Sequence, residues 1–79
     1  MLHQNKLDKV KDIATAAIST ALSTYNNYIT VTIKKFSTGE DGRYILSGTY
    51  KKNEFLDEEV GNFSMELAEN FEIENLELY

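Results

Sequence analysis

The sequence predicts an α+β fold of two layers, in which an N-terminal amphipathic helix packs on a 3–4-stranded antiparallel β-meander. Three observations predict it. Apolar residues recur at steps of three and four near the N-terminus, they alternate at every second position in several later stretches, and short turn-like segments join those stretches. Short connections favour antiparallel pairing with one face of the sheet covered. The 79 residues are expected to form one domain.

The helical period runs over about residues 5–25. At about 100° per residue its apolar side chains share one broad face, which suits a helix lying flat on a sheet. Asn5 is placed to cap the first turn, and the Asn26–Asn27 pair is placed to end the helix, because Asn tolerates the left-handed conformation. The residues of this face are Leu7, Val10, Ala14, Ala17, Ile18, Ala21 and Tyr25.

Strands are expected at about residues 28–36, 43–51, 60–67 and 70–79, because apolar and polar residues alternate there. Residues 52–59 are predicted to form a loop or a short helical turn. In the last stretch the alternation slips by one position, which predicts a bulge near Asn75. The face turned to the helix is predicted to hold Ile29, Val31, Ile33, Leu46, Phe63, Met65, Leu67, Phe71, Ile73, Leu76 and Leu78.

Charge is divided unevenly along the chain, which has a net charge of -5. Residues 1–52 carry eight basic and four acidic side chains, whereas residues 53–79 carry nine acidic and no basic ones. Such a division indicates either a charged partner or a need for solubility. The chain has no cysteine and no apolar run long enough to span a membrane, so we expect a cytoplasmic protein with no membrane contact.

No motif indicates catalysis, so we expect a protein that is not an enzyme and uses no cofactor. His3 is the one histidine, and without cysteine it cannot form a zinc site of nitrogen and sulfur ligands. The acidic clusters at 40–41 and 57–59 lack the alternating ligands of a calcium-binding loop. No serine or threonine has a base placed beside it by a recognisable motif.

Two surfaces of the predicted sheet are candidates for binding a partner. Its outer face is expected to carry a glutamate strip of Glu66, Glu72, Glu74 and Glu77, and a neutral area of Tyr28, Thr30 and Thr32. The first strand is predicted to be an edge without a central charge or proline, so Ile29, Val31 and Ile33 mark a candidate homodimer edge.

These features predict a small non-catalytic protein-interaction or regulatory domain that self-associates and binds a protein partner, in particular a basic one. Two alternatives remain open. One is an acidic decoy that imitates nucleic-acid phosphates and blocks a basic protein, with no direct nucleic-acid binding of its own. The other is a small-ligand carrier or enzyme with a helix–sheet pocket lined by Tyr25, Tyr44 and Tyr50.

Overall fold

The computed structural model describes residues 6–79 and confirms the predicted α+β fold class. One helix packs on a four-stranded antiparallel sheet with strand order β1-β2-β3-β4. The predicted Asn5 cap and His3 lie outside the described residues. The elements are α1 (Lys6–Ala21), a 3₁₀ turn (Asn26–Tyr28), β1 (Ile29–Thr38), β2 (Tyr44–Glu54), β3 (Asp57–Leu67) and β4 (Ile73–Leu78).

The core lies between α1 and the inner face of the sheet. Val10, Ala14 and Ile18 of the helix have no exposed surface, and neither do Leu46 and Phe63 of the sheet. These helix residues are spaced by four, so they form one stripe along the helix. The helical period therefore predicted the centre of the buried face correctly, whereas Leu7 and Ala21, predicted on the same face nearer the helix ends, are exposed. Remaining members of the core are Ile29, Val31, Tyr44, Tyr50, Met65 and Leu67.

The helix is shorter than its predicted range. It ends at Ala21, and Ser23 takes the left-handed conformation with φ of 57°. The Thr24 N–H donates to the Ser19 carbonyl, which closes the helix end several residues before the Asn pair. Tyr25 consequently leaves the helical face and is 72% exposed.

The hairpin of β2 and β3 is longer than the sequence predicts. Its register runs without interruption from Tyr44 opposite Leu67 to Glu54 opposite Asp57. Residues 52–59 are therefore strand ends around a two-residue turn, and the predicted loop or helical turn is wrong for most of this range. The sequence conceals this turn because Phe55 and Leu56 are not residues that favour tight turns.

Two irregularities shape the edge strands. The pairing of β1 with β2 shifts between Ile33 and Lys35, and the pairing of β3 with β4 shifts between Glu66 and Leu67. The second shift leaves Glu74 as the extra residue, which confirms the predicted bulge to within one position of Asn75. Of the predicted inner set, Ile73 next to this bulge is 47% exposed.

The end of the sheet away from the β2–β3 turn is closed by stacked rings. Tyr44 stacks on Phe71 with ring centroids 5.0 Å apart, and Phe36 stacks on Tyr44 at 5.9 Å. The ammonium group of Lys9 lies 4.3 Å from the centroid of the Phe71 ring. Cation–π contact of this kind holds the start of α1 against the sheet. Among residues 6–79, no helix has the length and apolar character needed to cross a membrane.

Candidate functional site

The most exposed apolar residues of the described chain lie at the turn between β2 and β3. Phe55 is 86% exposed and Leu56 is fully exposed. A small domain gains stability by burying such side chains, and each makes almost no contact with the core here. Large exposed apolar groups at one place mark sites of interaction more often than single scattered ones.

The backbone at this turn is held in a conformation that disfavours its residue. Phe55 has φ of 54°, in the left-handed region where Gly, Asn and Asp are favoured. A bulky residue in this region is an outlier that costs about 1–2 kcal/mol. Phe71, which is stacked on Tyr44, also has a positive φ of 70°, so this conformation alone does not mark a site. At Phe55 the conformation coincides with an exposed side chain, and outliers of this kind cluster at functional sites.

Two tyrosines of the α1–β1 linker adjoin this exposed pair: Tyr25 is exposed and Tyr28 is half-buried. The Tyr28 ring lies 6.1 Å from the Phe55 ring, and the Tyr25 ring lies 6.3 Å from the Tyr28 ring. Both ring pairs are tilted, which is a favourable aromatic arrangement. We call Tyr25, Tyr28, Phe55 and Leu56 the apolar tip.

Polar contacts hold the linker and the hairpin together around the apolar tip. The Thr24 hydroxyl donates to the Glu54 carboxylate at 2.7 Å. The Ser19 hydroxyl is hydrogen-bonded to the Asn26 side-chain oxygen, so the linker is also fastened to the helix. The Thr24–Glu54 bond joins residues 30 positions apart in sequence, and the two bonds together tie the hairpin end to the linker and the linker to the helix.

The strand ends beside the apolar tip are acidic. Glu54, Asp57, Glu58 and Glu59 outnumber the two lysines at 51 and 52. Both lysines are paired within the hairpin: Lys52 with Asp57 at 2.8 Å, and Lys51 with Glu58 at 3.4 Å. The hydrogen bond to Asp57 raises the pKa of Lys52, against the smaller opposing effect of desolvation. The tip thus combines exposed apolar side chains with a net negative border.

The predicted glutamate strip is partly neutralised by Arg43. The guanidinium group of Arg43 contacts Glu66 and Glu74, each at 2.7 Å. The charge of Glu74 and its hydrogen bond raise the pKa of Arg43. Glu77 lies opposite Ser64 on β4, whereas Glu72 lies before that strand begins.

The other predicted site residues are separated from one another. Thr30 and Thr32 are exposed on the outer face of β1, whereas Tyr28 belongs to the 3₁₀ turn and the apolar tip. Among the described residues β1 is an edge of the sheet, as predicted. Along this edge the side chains of Ile29 and Val31 are only 7% and 1% exposed, and Ile33 is half-buried beside the bulge. An approaching strand would therefore meet backbone groups and little apolar surface.

The tyrosines considered for a helix–sheet pocket do not converge on one. Tyr44 and Tyr50 are packed in the core, and Tyr25 is at the apolar tip. The Tyr50 ring lies across Gly61, where an added Cβ would be 2.6 Å from the tyrosine oxygen. Within the part of the chain that the structure describes, no group of three His, Cys, Asp or Glu residues is placed to hold a metal ion.

Sequence reasoning missed the apolar tip for a physical reason. Phe55 and Leu56 lie between charged residues. Their turn joins two strands that are longer than the apolar–polar alternation predicts. The available signal was that this apolar pair fits neither the helical nor the strand period. Comparison with known proteins adds no assignment, since no family model, curated protein or solved structure matches the chain.

Proposed function

We propose that this chain is a non-catalytic protein-interaction domain that binds a protein partner through the apolar tip. One observation carries the proposal: Phe55 and Leu56 are exposed side by side, on a turn whose backbone favours a different residue at position 55. Exposed aromatic anchors on a preformed support are the usual energetic centre of a protein interface. The absence of cysteine is compatible with a cytoplasmic location, which is part of the proposal.

The test is photo-crosslinking in the source cell. Replacing Leu56 by benzoylphenylalanine should give a crosslinked partner, whereas the same replacement of Val60 should not. Val60 is a matched control, because it is apolar and 66% exposed but lies on the outer sheet face. Crosslinking that is equal from both positions, or that occurs from Val60 alone, would assign the interface to the sheet and contradict the proposal.

The acidic decoy makes a different prediction in the same assay. Combined Glu66→Gln, Glu72→Gln and Glu74→Gln changes should leave the crosslink from Leu56 unchanged if the tip binds the partner. A decoy would lose its partner in this variant. Arg43 already neutralises part of the strip, which weakens the imitation of evenly spaced phosphates.

Self-association through β1 is a second candidate, favoured by its position as an open edge without charge between Ile29 and Ile33. Two-fold pairing of this edge would join two sheets. The bulge after Ile33 limits the length available for pairing, so we expect a weak dimer. Sedimentation equilibrium that shows only monomer at millimolar concentration would exclude it.

A further inference from the structure

We infer that the partner presents an apolar pocket with a basic rim, into which the β2–β3 hairpin inserts Phe55 and Leu56. This inference rests on the proposed function and names the chemistry of the partner. Its two parts, a concave apolar receptor and a positively charged rim, follow from the shape and the charge of the hairpin end.

The shape of the tip requires a concave receptor. The two anchors occupy the two-residue turn of a hairpin whose strands each have eleven residues, so they project from its end. Nearly all of both side chains is exposed, and a surrounding pocket in a protein covers such a convex group. Because the Thr24–Glu54 and Lys52–Asp57 contacts already fix the hairpin end, little ordering is needed on binding.

The negative charge beside the apolar tip indicates that the rim of the receptor pocket is basic. Glu54 and Asp57 flank the two anchors directly, and Glu58 and Glu59 follow. Lys51 and Lys52 balance only half of these four acids, and both are engaged within the hairpin. Basic side chains around the receptor pocket would meet the remaining negative charge and would speed association.

The same charge disfavours two other occupants of the apolar tip. Two copies of the tip placed against each other would bring their acidic borders together, so a tip-to-tip dimer is opposed by repulsion. A membrane surface rich in anionic lipids would repel the border in the same way. A protein pocket with basic side chains is the receptor that satisfies both the apolar and the acidic features.

The experiment is a selection from a yeast-displayed library of genomic fragments of the source organism. The intact chain is the bait, and the Phe55→Ser/Leu56→Ser variant is used for counter-selection. The affinity of each selected fragment is then measured for the Glu58→Gln/Glu59→Gln variant, in which the net charge of the border is close to zero. The matched control is Glu69→Gln/Glu72→Gln, which changes net charge equally at the opposite end of β3, about 33 Å away along the strand.

Tip-dependent fragments should bind the Glu58→Gln/Glu59→Gln variant about tenfold more weakly, and the control variant as well as the intact chain. Their affinity should also fall as NaCl rises from about 0.05 M to about 0.5 M, because exposed rim charges are screened. If the affinity of tip-dependent fragments changes neither with salt nor with the Glu58→Gln/Glu59→Gln substitutions, the basic rim is contradicted while the proposed function stands.

Two further outcomes count against the inference in different ways. If the selection yields no fragment whose binding depends on Phe55 and Leu56, both the inferred receptor and the proposed function are contradicted. Phosphatidylcholine vesicles provide the other control: tip-dependent binding to them would assign the anchors to a lipid surface and overturn the protein pocket.

Discussion

Phe55 offers the sharpest separation of stability from function in this chain. Replacing it by Asn should make the domain slightly more stable, because Asn accepts the left-handed backbone that φ of 54° requires. Relief of that strain contributes about 1–2 kcal/mol to the free energy of unfolding. Most exposed substitutions change stability very little, so a gain at this position would be diagnostic.

The opposing loss is small because Phe55 is 86% exposed. The covered seventh of a side chain of roughly 200 Å² is about 30 Å², which corresponds to about 0.7 kcal/mol at about 25 cal/mol per Å². With the tilted Tyr28 contact of Phe55 counted by its area alone, the net gain is about 0.3–1.3 kcal/mol, or a rise in Tm of about 1–10 °C for a domain of this size.

Urea denaturation followed by circular dichroism measures the difference, with Leu56→Asn as the matched control. Leu56 is fully exposed and is not among the residues with positive φ, so its replacement should change stability by less than about 0.5 kcal/mol. A loss of more than about 1 kcal/mol in Phe55→Asn alone would refute the reasoning. It would show that the ring stabilises the hairpin through Tyr28 and is not available for a partner.

Three further predictions concern the fold and its charges. Ile18→Asp would place a charge in a fully buried position and should abolish the folded circular dichroism spectrum; a cooperative transition like that of the parent would contradict the helix packing. Gly48→Ala should cost about 1–3 kcal/mol, because its Cβ would clash with the Thr32 backbone carbonyl oxygen. Gly39→Ala, where the Cβ would meet an exposed aspartate side chain, should cost clearly less in the same urea titration. The difference in free energy of unfolding between the parent and Lys52→Met should be constant near neutral pH and should shrink as the pH rises above about 10.4. The reason is that a lysine with a raised pKa stabilises the fold only while its ammonium group is charged. A difference that grows at alkaline pH would contradict the Lys52–Asp57 pair.

The sequence predicted the parts of the fold that depend on periodic burial. The stripe of Val10, Ala14 and Ile18 follows the helical period, and Phe63 and Met65 follow the strand period. Burial dominates the energetics of these residues, so their spacing carries the information needed to place them.

The candidate site was harder to predict because its interactions are local exceptions or long-range pairings. The turn at Phe55 uses a residue that is uncommon in tight turns, so the local sequence does not mark it as a turn. The Arg43 contacts join residues 23 and 31 positions apart, and no pattern in a single sequence specifies them. The one feature of this site that the sequence shows is the acidic composition of residues 53–59, which lie beside the exposed Phe55 and Leu56 side chains.

The most direct test of the central claim is to compare amide hydrogen exchange of the free chain with that of the chain bound to the partner that crosslinking from position 56 identifies. If the apolar tip is the interface, exchange should slow on binding at residues 53–59 and at Tyr25–Tyr28, with no change in the turn at residues 68–72. Protection confined to β1 or β4, with the tip exchanging as in the free chain, would contradict the account.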